Sequence, residues 1–584
     1  MSGLRSAPRR GPLIIWVIML VALLVIGVQL INVQIVKGPE LAAQGRQLRT
    51  AESTLQPRRG DIVDATGAQL ATSVQTYHIA VNQNKILKAR VYDTDEEGRT
   101  VELGRGPAAA AQVLAPLLEM DEAELGGLLI GTSTYQYIKK NVSIDVWRQI
   151  RSHQIYGIEW EPSYERIYPN GTVAAGIIGS IGAEGDGNSG LELTQNDVLQ
   201  GETGVLALEY APGGQAIPGG KQVSKPAVNG KTVHTTLRLD LQHTVEEHLN
   251  AAVKKYNADW GVVAIEEIST GKILALADSG MQEISNKPQA VRAAQFAVEP
   301  GSVGKIVTVA SALEHGKVTP ETPIPVPYEY TTSDGESFID SHRHPAYTRT
   351  VTGVLAESSN TGTVQIGQMV TDDERFNLFE RFGFGKETGI GLPGESPGLL
   401  QPPQEWDGRQ RYTTMFGQGY AITQLQQVAM VATIGNGGVY LPPTLIDGWT
   451  NADGTYEAAP IREPKQVLDK DVAQTMVTMM ESTTAWEAGT GASFALEGHR
   501  TAAKTGTAEL IENGAYSGTA ANVVAIVPAE NPTIAVSVLL YHPRSGSYAF
   551  QSAGPLFHDV ATEAVRSLGI PASHEPAHLY PTEP

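Results

Sequence analysis

The hydrophobic pattern begins with one long apolar run. Residues 13–28 are uncharged and strongly apolar, and the uncharged stretch continues to residue 36. This length is sufficient for one helix across a bilayer. Three arginines precede the run and the first acidic residue is Glu40, so the positive-inside rule places residues 1–12 in the cytoplasm and the bulk of the chain outside. A cleaved signal peptide would have a shorter apolar core and a small-residue cleavage site. The pattern therefore favours an uncleaved transmembrane anchor over 13–36.

After the anchor the pattern becomes polar and is broken by turns. Residues 40–58 are predicted to form a polar helix or stalk. From there to residue 240, short strand-like runs alternate with Gly-rich turns, and two helical periodicities occur near 108–118 and 144–152. We predict that residues 37–240 form an extended, β-rich pedestal module that lifts the rest of the chain off the membrane.

A third region, residues 241–568, has a different order of elements. A helical pattern over 241–256 is followed by strands, then helices, then strands that include 523–527 and 534–540. Strands at both ends of a segment with helices between them predict one antiparallel sheet with a helical lobe. The predicted fold class is therefore α+β. Residues 569–584 lack a periodic pattern, and we predict a flexible tail.

Composition narrows the classes of function. At 584 residues the chain is too long for one ordinary domain. Its net charge of −20 argues against nucleic acid as a partner. The absence of cysteine excludes a disulfide framework, thiolate metal sites and lipidation at cysteine.

The first candidate for chemistry is the string Ser302-Val-Gly-Lys305. Two residues three apart share a face of a helix, and the apolar pattern after Lys305 predicts a buried helix that ends near Gly316. Ser302 would then lie at the positive N-terminal end of that helix. This position, burial and a second cation, Lys504, are expected to lower the pKa of Lys305, so that it can act as a base. The chain has a second match, Ser269-Thr-Gly-Lys272, but its surroundings predict a turn between two strands.

Two further strings strengthen the assignment of Ser302. Ser358-Ser-Asn360 follows a predicted helix and supplies a hydroxyl that can relay a proton and an amide that can bind a peptide. Lys504-Thr-Gly-Thr507 lies in a run of small residues that suits an edge strand against which a substrate backbone can lie. Taken alone, the first string is better explained as a solvated Ser/Asn loop, and the second has the alternative explanation of an exposed strand lysine. Together they supply the parts for acyl transfer through a serine ester.

With these three strings in this order, the chain resembles the class B penicillin-binding proteins, which are peptidoglycan D,D-transpeptidases. The resemblance runs from the anchor to residue 565. It also rests on these strings: Arg59-Gly-Asp-Ile-Val-Asp64, Arg166-Ile-Tyr-Pro169, Gly187-Asn-Ser-Gly-Leu-Glu192, Phe416-Gly-Gln-Gly419, Thr423-Gln-Leu-Gln426, Asn436-Gly-Gly438 and Gly489-Thr-Gly491.

The resemblance implies a role for each residue of the three strings. Ser302 would attack the carbonyl of a D-Ala-D-Ala donor stem peptide, Lys305 would be the base, and Ser358 would pass a proton to the leaving D-alanine. The backbone N–H groups of Ser302 and Thr507 would form the oxyanion hole. An acceptor amine would then resolve the ester without a metal ion or an organic cofactor. Asn360 and Lys504 would complete the catalytic set by orienting the substrate. The substrate-binding positions would be Thr505, which would hold the terminal carboxylate, together with Gly506 and Thr507.

The chain departs from the family pattern at three positions. The family usually has an aromatic residue where Gly304 stands, glycine where Ala503 stands, and arginine where Ala65 stands. None of the three removes a catalytic atom. Gly304 leaves the packing of the site, and hence the affinity for β-lactams, open.

Alternatives to the transpeptidase remain. A D,D-carboxypeptidase or β-lactamase-like hydrolase would share the fold, but Glu374-Arg-Phe-Asn377 only superficially resembles the loop that activates the deacylating water in some β-lactamases. A non-catalytic scaffold or β-lactam sensor is a third reading, and the intact Ser302, Lys305 and Lys504 argue against it. Septal and lateral-wall enzymes share these motifs. The length, single anchor and pedestal strings are closer to the septal, cell-division branch.

The resemblance also implies partners. The substrates would be peptidoglycan stem peptides, and β-lactams would be inhibitors. The pedestal resembles a non-catalytic module and not a glycosyltransferase, so a separate polymerase is implied. That polymerase would be a multi-span glycosyltransferase that meets the transmembrane helix among other cell-division membrane proteins. The polar residues Gln29, Asn32 and Gln34 near the outer end of the anchor could hydrogen-bond such a helix.

Two histidine-containing strings are discounted as metal sites. His574-Glu-Pro-Ala-His578 matches a zinc-protease pattern that requires a helix, and Pro576 would break one. His342-Arg-His344 is predicted to belong to a polar surface loop.

Overall fold

The structure is a computed structural model that describes residues 10–47, 50–94, 99–210, 216–285, 287–512 and 514–584. The chain divides into two compact units. One comprises residues 1–57 with 201–229, and the other comprises residues 58–200 with 230–584. The predicted pedestal, 37–240, therefore contains parts of both units.

The smaller unit contains the apolar helix. The α-helix Arg10–Ile31 continues as a π-helical turn, Asn32–Val36. Within the described residues, Pro12–Val36 is the one helix that is long and apolar enough to cross a membrane, and none of its most apolar window is buried. Apolar side chains that no other part of the protein covers are suited to lipid. This helix corresponds to the predicted anchor over 13–36.

The predicted polar stalk has two kinds of structure. A helix, Gly38–Gln47, is followed by the strand Thr50–Leu55. This strand is the outer member of a three-stranded antiparallel sheet with Gly204–Tyr210 in the centre and Ala216–Lys225 beyond it. The strand forms because it pairs with a distant segment, and a local polarity pattern does not reveal such a partner.

The larger unit contains the rest of the pedestal, and the main sheet of this region also includes two strands from residues 241–568, Ile446–Thr450 and Tyr456–Ala458. A sheet of seven strands has the order Tyr456–Ala458, Ile446–Thr450, Thr232–Thr235, Ile62–Val63, Gln69–Val81 and Gln136–Ser143, with Ile158–Ile167 also paired to Gln69–Val81. Arg90–Thr94 and Thr100–Arg105 form a separate antiparallel pair. The helices are Gln83–Ile86, Gly106–Leu118, Glu122–Leu129, Ile144–Ser152, Ala175–Ile178, Gly190–Thr194 and Asn196–Leu199. Two of them coincide with the helices predicted near 108–118 and 144–152.

Three of the pedestal strings converge on one buried carboxylate. Glu192 is fully buried. Its carboxylate accepts hydrogen bonds from Arg59 Nε at 2.7 Å and from Arg166 Nε at 2.6 Å. A buried charge is tolerated when it is paired and hydrogen-bonded in this way. The strings at 59, 166 and 192 are therefore parts of one structural ion-pair cluster.

A second pedestal residue connects this module to the next one. Asp64 Oδ1 accepts hydrogen bonds from the backbone N–H groups of Thr66 and Ala68, at 2.7 and 2.8 Å. Its other oxygen accepts one from Leu239 N at 3.0 Å. Leu239 begins the helix Leu239–Tyr256, so Asp64 closes a tight turn and also holds the start of that helix.

The following domain is built around a five-stranded antiparallel sheet, which agrees with the predicted α+β fold. Its order is Lys272–Asp278, Trp260–Glu267, Ile534–Tyr541, Ala515–Val527 and Ala502–Glu512, with the last strand at an edge. Helices Leu239–Tyr256 and Ala553–Leu568 pack on one face. The central strand Ile534–Tyr541 is buried along almost its whole length, which explains its continuous apolar run.

The helical lobe covers the other face of this sheet. Its main helices are Lys305–Glu314, Val351–Glu357, Asn360–Gly367, Asp372–Arg381, Gln424–Gly435 and Lys470–Ala485, with short helices at Arg292–Gln295 and Gln410–Thr413. Short strands pair within it: Pro323–Val326 with Tyr347–Thr350, Glu329–Thr331 with Ser337–Ile339, and Val439–Tyr440 with Lys465–Gln466. The string Thr423-Gln-Leu-Gln426 is a capping box at the start of Gln424–Gly435.

Residues 569–584, called the tail below, form no helix or strand after Leu568. They are nevertheless held to the domain. Thr350 Oγ1 donates to Pro581 O at 2.6 Å, and Arg349 pairs with Glu583 at 2.5 Å. This contrasts with the flexible tail that the sequence predicts. His574 and His578 lie in this non-helical segment, so they lack the helical face that the zinc-protease pattern requires.

Candidate active site

Ser302 lies in a 3₁₀ turn, Gly301–Gly304, that continues as the α-helix Lys305–Glu314. We call this segment the serine helix. It ends beside Gly316, as the sequence predicts, and its residues from 305 to 312 are buried. Ser302 itself is half-buried, whereas Lys305 is fully buried. Among the described residues, no side chain or backbone group hydrogen-bonds the Ser302 hydroxyl. The string Ser269-Thr-Gly-Lys272, which repeats the spacing of Ser302 and Lys305, lies outside a helix as the sequence predicts. Ser269 lies in the exposed turn between strands Trp260–Glu267 and Lys272–Asp278.

Ser358 is at the centre of the polar contacts. Its hydroxyl oxygen lies 3.2 Å from Lys305 Nζ and 2.8 Å from Lys504 Nζ, and Lys305 also donates to its backbone carbonyl. Ser358 has a φ of +67°, in the left-handed region, between helices Val351–Glu357 and Asn360–Gly367. Non-glycine residues in this region are strained and are concentrated at functional sites.

The two lysines have unusual electrostatics. Burial lowers the pKa of Lys305 from its ordinary value of 10.5 to about 7, while the charges of Asp340 and Glu357 act in the opposite direction. Burial, together with the charge of Lys305, holds the pKa of Lys504 well below its ordinary range. The expected lowering of the pKa of Lys305 is present, and its main cause is desolvation by burial.

The edge strand Ala502–Glu512 carries Lys504, Thr505, Gly506 and Thr507. Lys504 Nζ also donates to Thr505 O at 3.0 Å. Thr505 Oγ1 donates to Thr490 Oγ1 at 2.8 Å, which explains the neighbouring string Gly489-Thr-Gly491. Gly506 packs against the side chain of Asn522.

The serine helix and the edge strand approach each other closely. A Cβ atom on Gly301 would lie 2.8 Å from the carbonyl carbon of Thr507. Thr507 Oγ1 accepts a hydrogen bond from Ala549 N at 3.1 Å. The backbones on either side of Ser302 and Thr507 are therefore neighbours, as a shared oxyanion hole requires.

Comparisons with known proteins agree with this arrangement. The model of the penicillin-binding protein transpeptidase domain matches residues 261–562, and that of the penicillin-binding protein dimerisation domain matches residues 54–235. The chain is 30% identical to the penicillin-binding protein PbpB of Mycobacterium tuberculosis, over 97% of this chain and 86% of that protein. The chain belongs to the class B penicillin-binding proteins.

Other relatives extend this assignment. The chain is 28% identical to the peptidoglycan D,D-transpeptidase FtsI of Escherichia coli, over 92% of this chain and 88% of that protein. A solved structure of a peptidoglycan synthetase from Bifidobacterium adolescentis has a TM-score of 0.75 at 34% identity, and covers 92% of this chain and 100% of its own. Penicillin-binding protein 3 of Mycobacterium tuberculosis, solved with ampicillin, has a TM-score of 0.70 at 26% identity, and covers 91% of this chain and 100% of its own.

In this penicillin-binding protein the Ser358–Asn360 loop is held by a residue that the sequence analysis missed, Asp340. Its carboxylate accepts hydrogen bonds from Asn360 N at 2.5 Å, from Thr361 N at 3.0 Å and from Ser359 Oγ at 2.9 Å. It is distant in sequence, and no spacing rule connects it to the loop. Only the position of a lone acid after a short apolar stretch could have drawn attention to it.

Asn360 and His344 both lie beside Asp340. The side-chain amide of Asn360 donates to Ile339 O at 3.1 Å, so in this structure it is oriented by the protein itself. His344 lies in the predicted loop, whose other residues from 341 to 346 are exposed. Its side chain nevertheless faces the protein: Nε2 lies 3.2 Å from Asp340 Oδ2, and the ring centre lies 4.7 Å from that of Tyr347.

Two departures from the family pattern are accommodated. A Cβ atom on Gly304 would lie 2.5 Å from both Gly417 Cα and the hydroxyl of Tyr420. Tyr420 is buried, so its ring and the Gly417 turn occupy the space above Gly304. Ala503 points into the apolar core beneath the edge strand, where its methyl group is buried without cost. The structure offers no account of Ala65.

Proposed function

We propose that this protein is a peptidoglycan D,D-transpeptidase that cross-links stem peptides through an ester on Ser302. The observation that carries the proposal is the contact of one hydroxyl, that of Ser358, with the amines of Lys305 and Lys504. A base whose pKa is about 7 is suited to removing a hydroxyl proton at neutral pH. The proposed first bond is between Ser302 Oγ and the carbonyl carbon of the penultimate D-alanine.

The acylation step can be written with all its protons. Lys305 Nζ takes the Ser302 proton as the oxygen attacks, and the N–H groups of Ser302 and Thr507 stabilise the oxyanion. Collapse breaks the C–N bond. The leaving D-alanine nitrogen receives a proton through Ser358, which lies between Lys305 and Lys504. The ester and free D-alanine are the products.

The second step consumes the ester. The amine of an acceptor stem attacks the ester carbonyl, Ser302 Oγ leaves and recovers a proton, and a new amide forms. Lys504, Thr505 and Gly506 belong to the strand against which the donor peptide would lie, and Asn360 would bind the peptide from the Ser358–Asn360 loop. This chemistry needs neither a metal ion nor an organic cofactor.

A hydrolase of the same fold is the second candidate, and one observation weighs against a β-lactamase. Glu374 would have to activate water, but its carboxylate accepts a hydrogen bond from Thr371 N at 2.7 Å in a capping box. Its carboxylate therefore caps the start of the helix Asp372–Arg381 and is already engaged.

The test is an acyl-transfer assay on the full-length protein in detergent. A D-Ala-D-Ala donor is supplied with and without an amine acceptor, after fluorescent penicillin has been used to map the acylated residue. A transpeptidase is expected to form the cross-linked product and to release D-alanine faster when the acceptor is present. Release of D-alanine without cross-linking would indicate a carboxypeptidase. Penicillin labelling without either product would indicate a sensor.

We further propose that the protein acts in septal wall synthesis, with its N-terminus in the cytoplasm and the catalytic domain outside. Support comes from the similarity to FtsI and from the apolar helix Pro12–Val36 after three arginines. The protein would work with a multi-span glycosyltransferase among cell-division membrane proteins. Gln29, Asn32 and Gln34 lie at the π-helical end of the anchor, where they could contact that partner.

This proposal predicts that the anchor does more than tether. Residues 13–36 are replaced by an unrelated single-span helix of equal length and orientation. We expect export and penicillin labelling to persist while septal localisation or cross-linking in cells fails, because polar side chains can join transmembrane helices. Full complementation by the exchanged protein would show that the helix is only a tether.

A further inference from the structure

The tail is in direct contact with the helix that leads to Ser358. Thr350 N donates to Thr582 O at 3.2 Å, and Thr350 Oγ1 donates to Pro581 O at 2.6 Å. The same Thr350 oxygen caps the helix Val351–Glu357 by accepting from Gly353 N at 3.1 Å. A Cβ atom on Gly353 would lie 2.2 Å from Thr582 O. The tail backbone therefore packs on the first turn of that helix.

Arg349 connects the tail to the other end of the helix. Its Nε donates to Glu357 Oε2 at 2.9 Å, and its Nη1 donates to Glu583 Oε1 at 2.5 Å. The guanidinium group also lies 4.6 Å from the ring centre of Tyr347 and 5.2 Å from that of Trp486. Arg349 and Glu357 are largely buried, whereas Glu583 is 67% exposed. The Glu583 contact is weak alone, so the backbone contacts of residues 581 and 582 must do most of the anchoring.

Glu357 immediately precedes Ser358, and its charge acts on Lys305. The charged groups that act on Lys305 and its neighbour Lys504 are Asp340, Glu357 and the lysines themselves. Glu357 in turn faces Arg349 and the hydroxyl of Tyr347, which donates to it at 3.1 Å. A carboxylate without a cationic partner would stabilise the ammonium form of Lys305. Arg349 offsets that charge.

We propose that the tail is a working part of the active site: it holds Arg349 on Glu357, and Arg349 thereby limits the negative charge that Glu357 presents to Lys305. Arg349 and Glu357 are positioning residues in this scheme, since they act through Lys305. The inference rests on the proposed role of Lys305 as the base for acylation.

The test is the pH dependence of acylation by fluorescent penicillin, measured as a second-order rate constant on the full-length protein in detergent. Three variants remove the contact of Arg349 with Glu357 or the tail that holds it in place. They are Arg349→Gln, deletion of residues 581–584, and Gly353→Ala, whose methyl group would displace the tail. In each, the midpoint of the profile is expected to move to higher pH by up to about one unit, at the low end of shifts caused by a neighbouring charge. Glu357→Gln should move it to lower pH.

The sign of the shift distinguishes this scheme from simpler ones. Deletion of residues 581–584 removes the negative charge of Glu583, which by direct electrostatics would favour the neutral amine and lower the midpoint. A rise therefore reports the release of Arg349. Gly353→Ala is the less specific of the two tail variants, because its methyl group would also lie 3.1 Å from Arg349 Cδ. Glu575→Gln is the matched control, because this exposed tail carboxylate lies near Arg500 instead.

An unchanged or lowered midpoint in Arg349→Gln and in the deleted chain would overturn the proposal, and so would an equal shift in Glu575→Gln. Thermal unfolding of each variant separates a local effect from misfolding. If Gly353→Ala does not fold, the deletion of residues 581–584 tests the role of the tail by itself. Failure of the proposed role of Lys305 would look different, because Lys305→Ala would then be acylated about as fast as the unaltered protein. Failure of the transpeptidase function would appear as acylation at Ser302 without a cross-linked product.

Discussion

Replacing Ser302 by alanine is expected to abolish covalent labelling by penicillin while the protein stays folded. The ester has no other oxygen on which to form, so the loss should be complete rather than partial. The fold should survive because the hydroxyl is half-buried and forms no hydrogen bond within the described part of the chain. Substitutions of this kind usually change stability by no more than about 0.5 kcal/mol. Labelling by fluorescent penicillin and thermal unfolding together check the prediction.

The chain provides its own control for this experiment. Ser269 and Lys272 repeat the spacing of Ser302 and Lys305, but they flank an exposed turn between two strands. Ser269→Ala should leave the labelling of Ser302 unchanged. Labelling that persists in Ser302→Ala, or that mass spectrometry locates at Ser269, would refute the assignment of the nucleophile.

The parts of the site that the sequence predicts are those defined by local geometry. The spacing of Ser302 and Lys305 is meaningful because a helix brings positions three apart onto one face. The small residues around Lys504 suggest an edge strand, and the structure has one. The apolar run at 13–36 and the order of strands and helices are likewise properties of continuous segments.

The parts that the sequence does not predict depend on contacts between distant segments. Asp340 becomes part of the site only when the strand Ser337–Ile339 is placed beside the Ser358–Asn360 loop. The tail has no periodicity, yet Thr350 supplies it with hydrogen bonds. Gly304 looks like the loss of an aromatic residue until Tyr420 is seen to fill the space. In each case the partner lies too far along the chain for a pattern to connect the two.

Lys305→Ala is expected to slow acylation by about 10²–10⁴-fold, which is the contribution of a positioned general base. In the unaltered protein the rate constant should rise with pH and reach half its maximum near pH 7. The reason is that burial sets the pKa of Lys305 at about 7 and only the neutral amine accepts the proton. In Lys305→Ala this pH dependence should disappear. A rate near that of the unaltered protein, or a profile that keeps its midpoint, would contradict the role of Lys305.

A slow Lys305→Ala protein could be misfolded or could lack the base, and the lowered pKa of Lys305 suggests a variant that separates the two. Since the pKa of Lys305 is lower in the folded protein than its ordinary value of 10.5, the unfolded chain binds more protons between pH 7 and 10.5. The stability cost of this lysine is therefore present in full below pH 7 and disappears as the pH rises toward 10.5.

Lys305→Met, which fills the same buried space without an amine, should then unfold at a temperature no lower than the unaltered protein at pH 6. It should be as slow as Lys305→Ala in acylation. A stable Lys305→Met protein that is acylated slowly assigns the defect to the missing base, whereas an unstable one would show that the amine is needed for the fold.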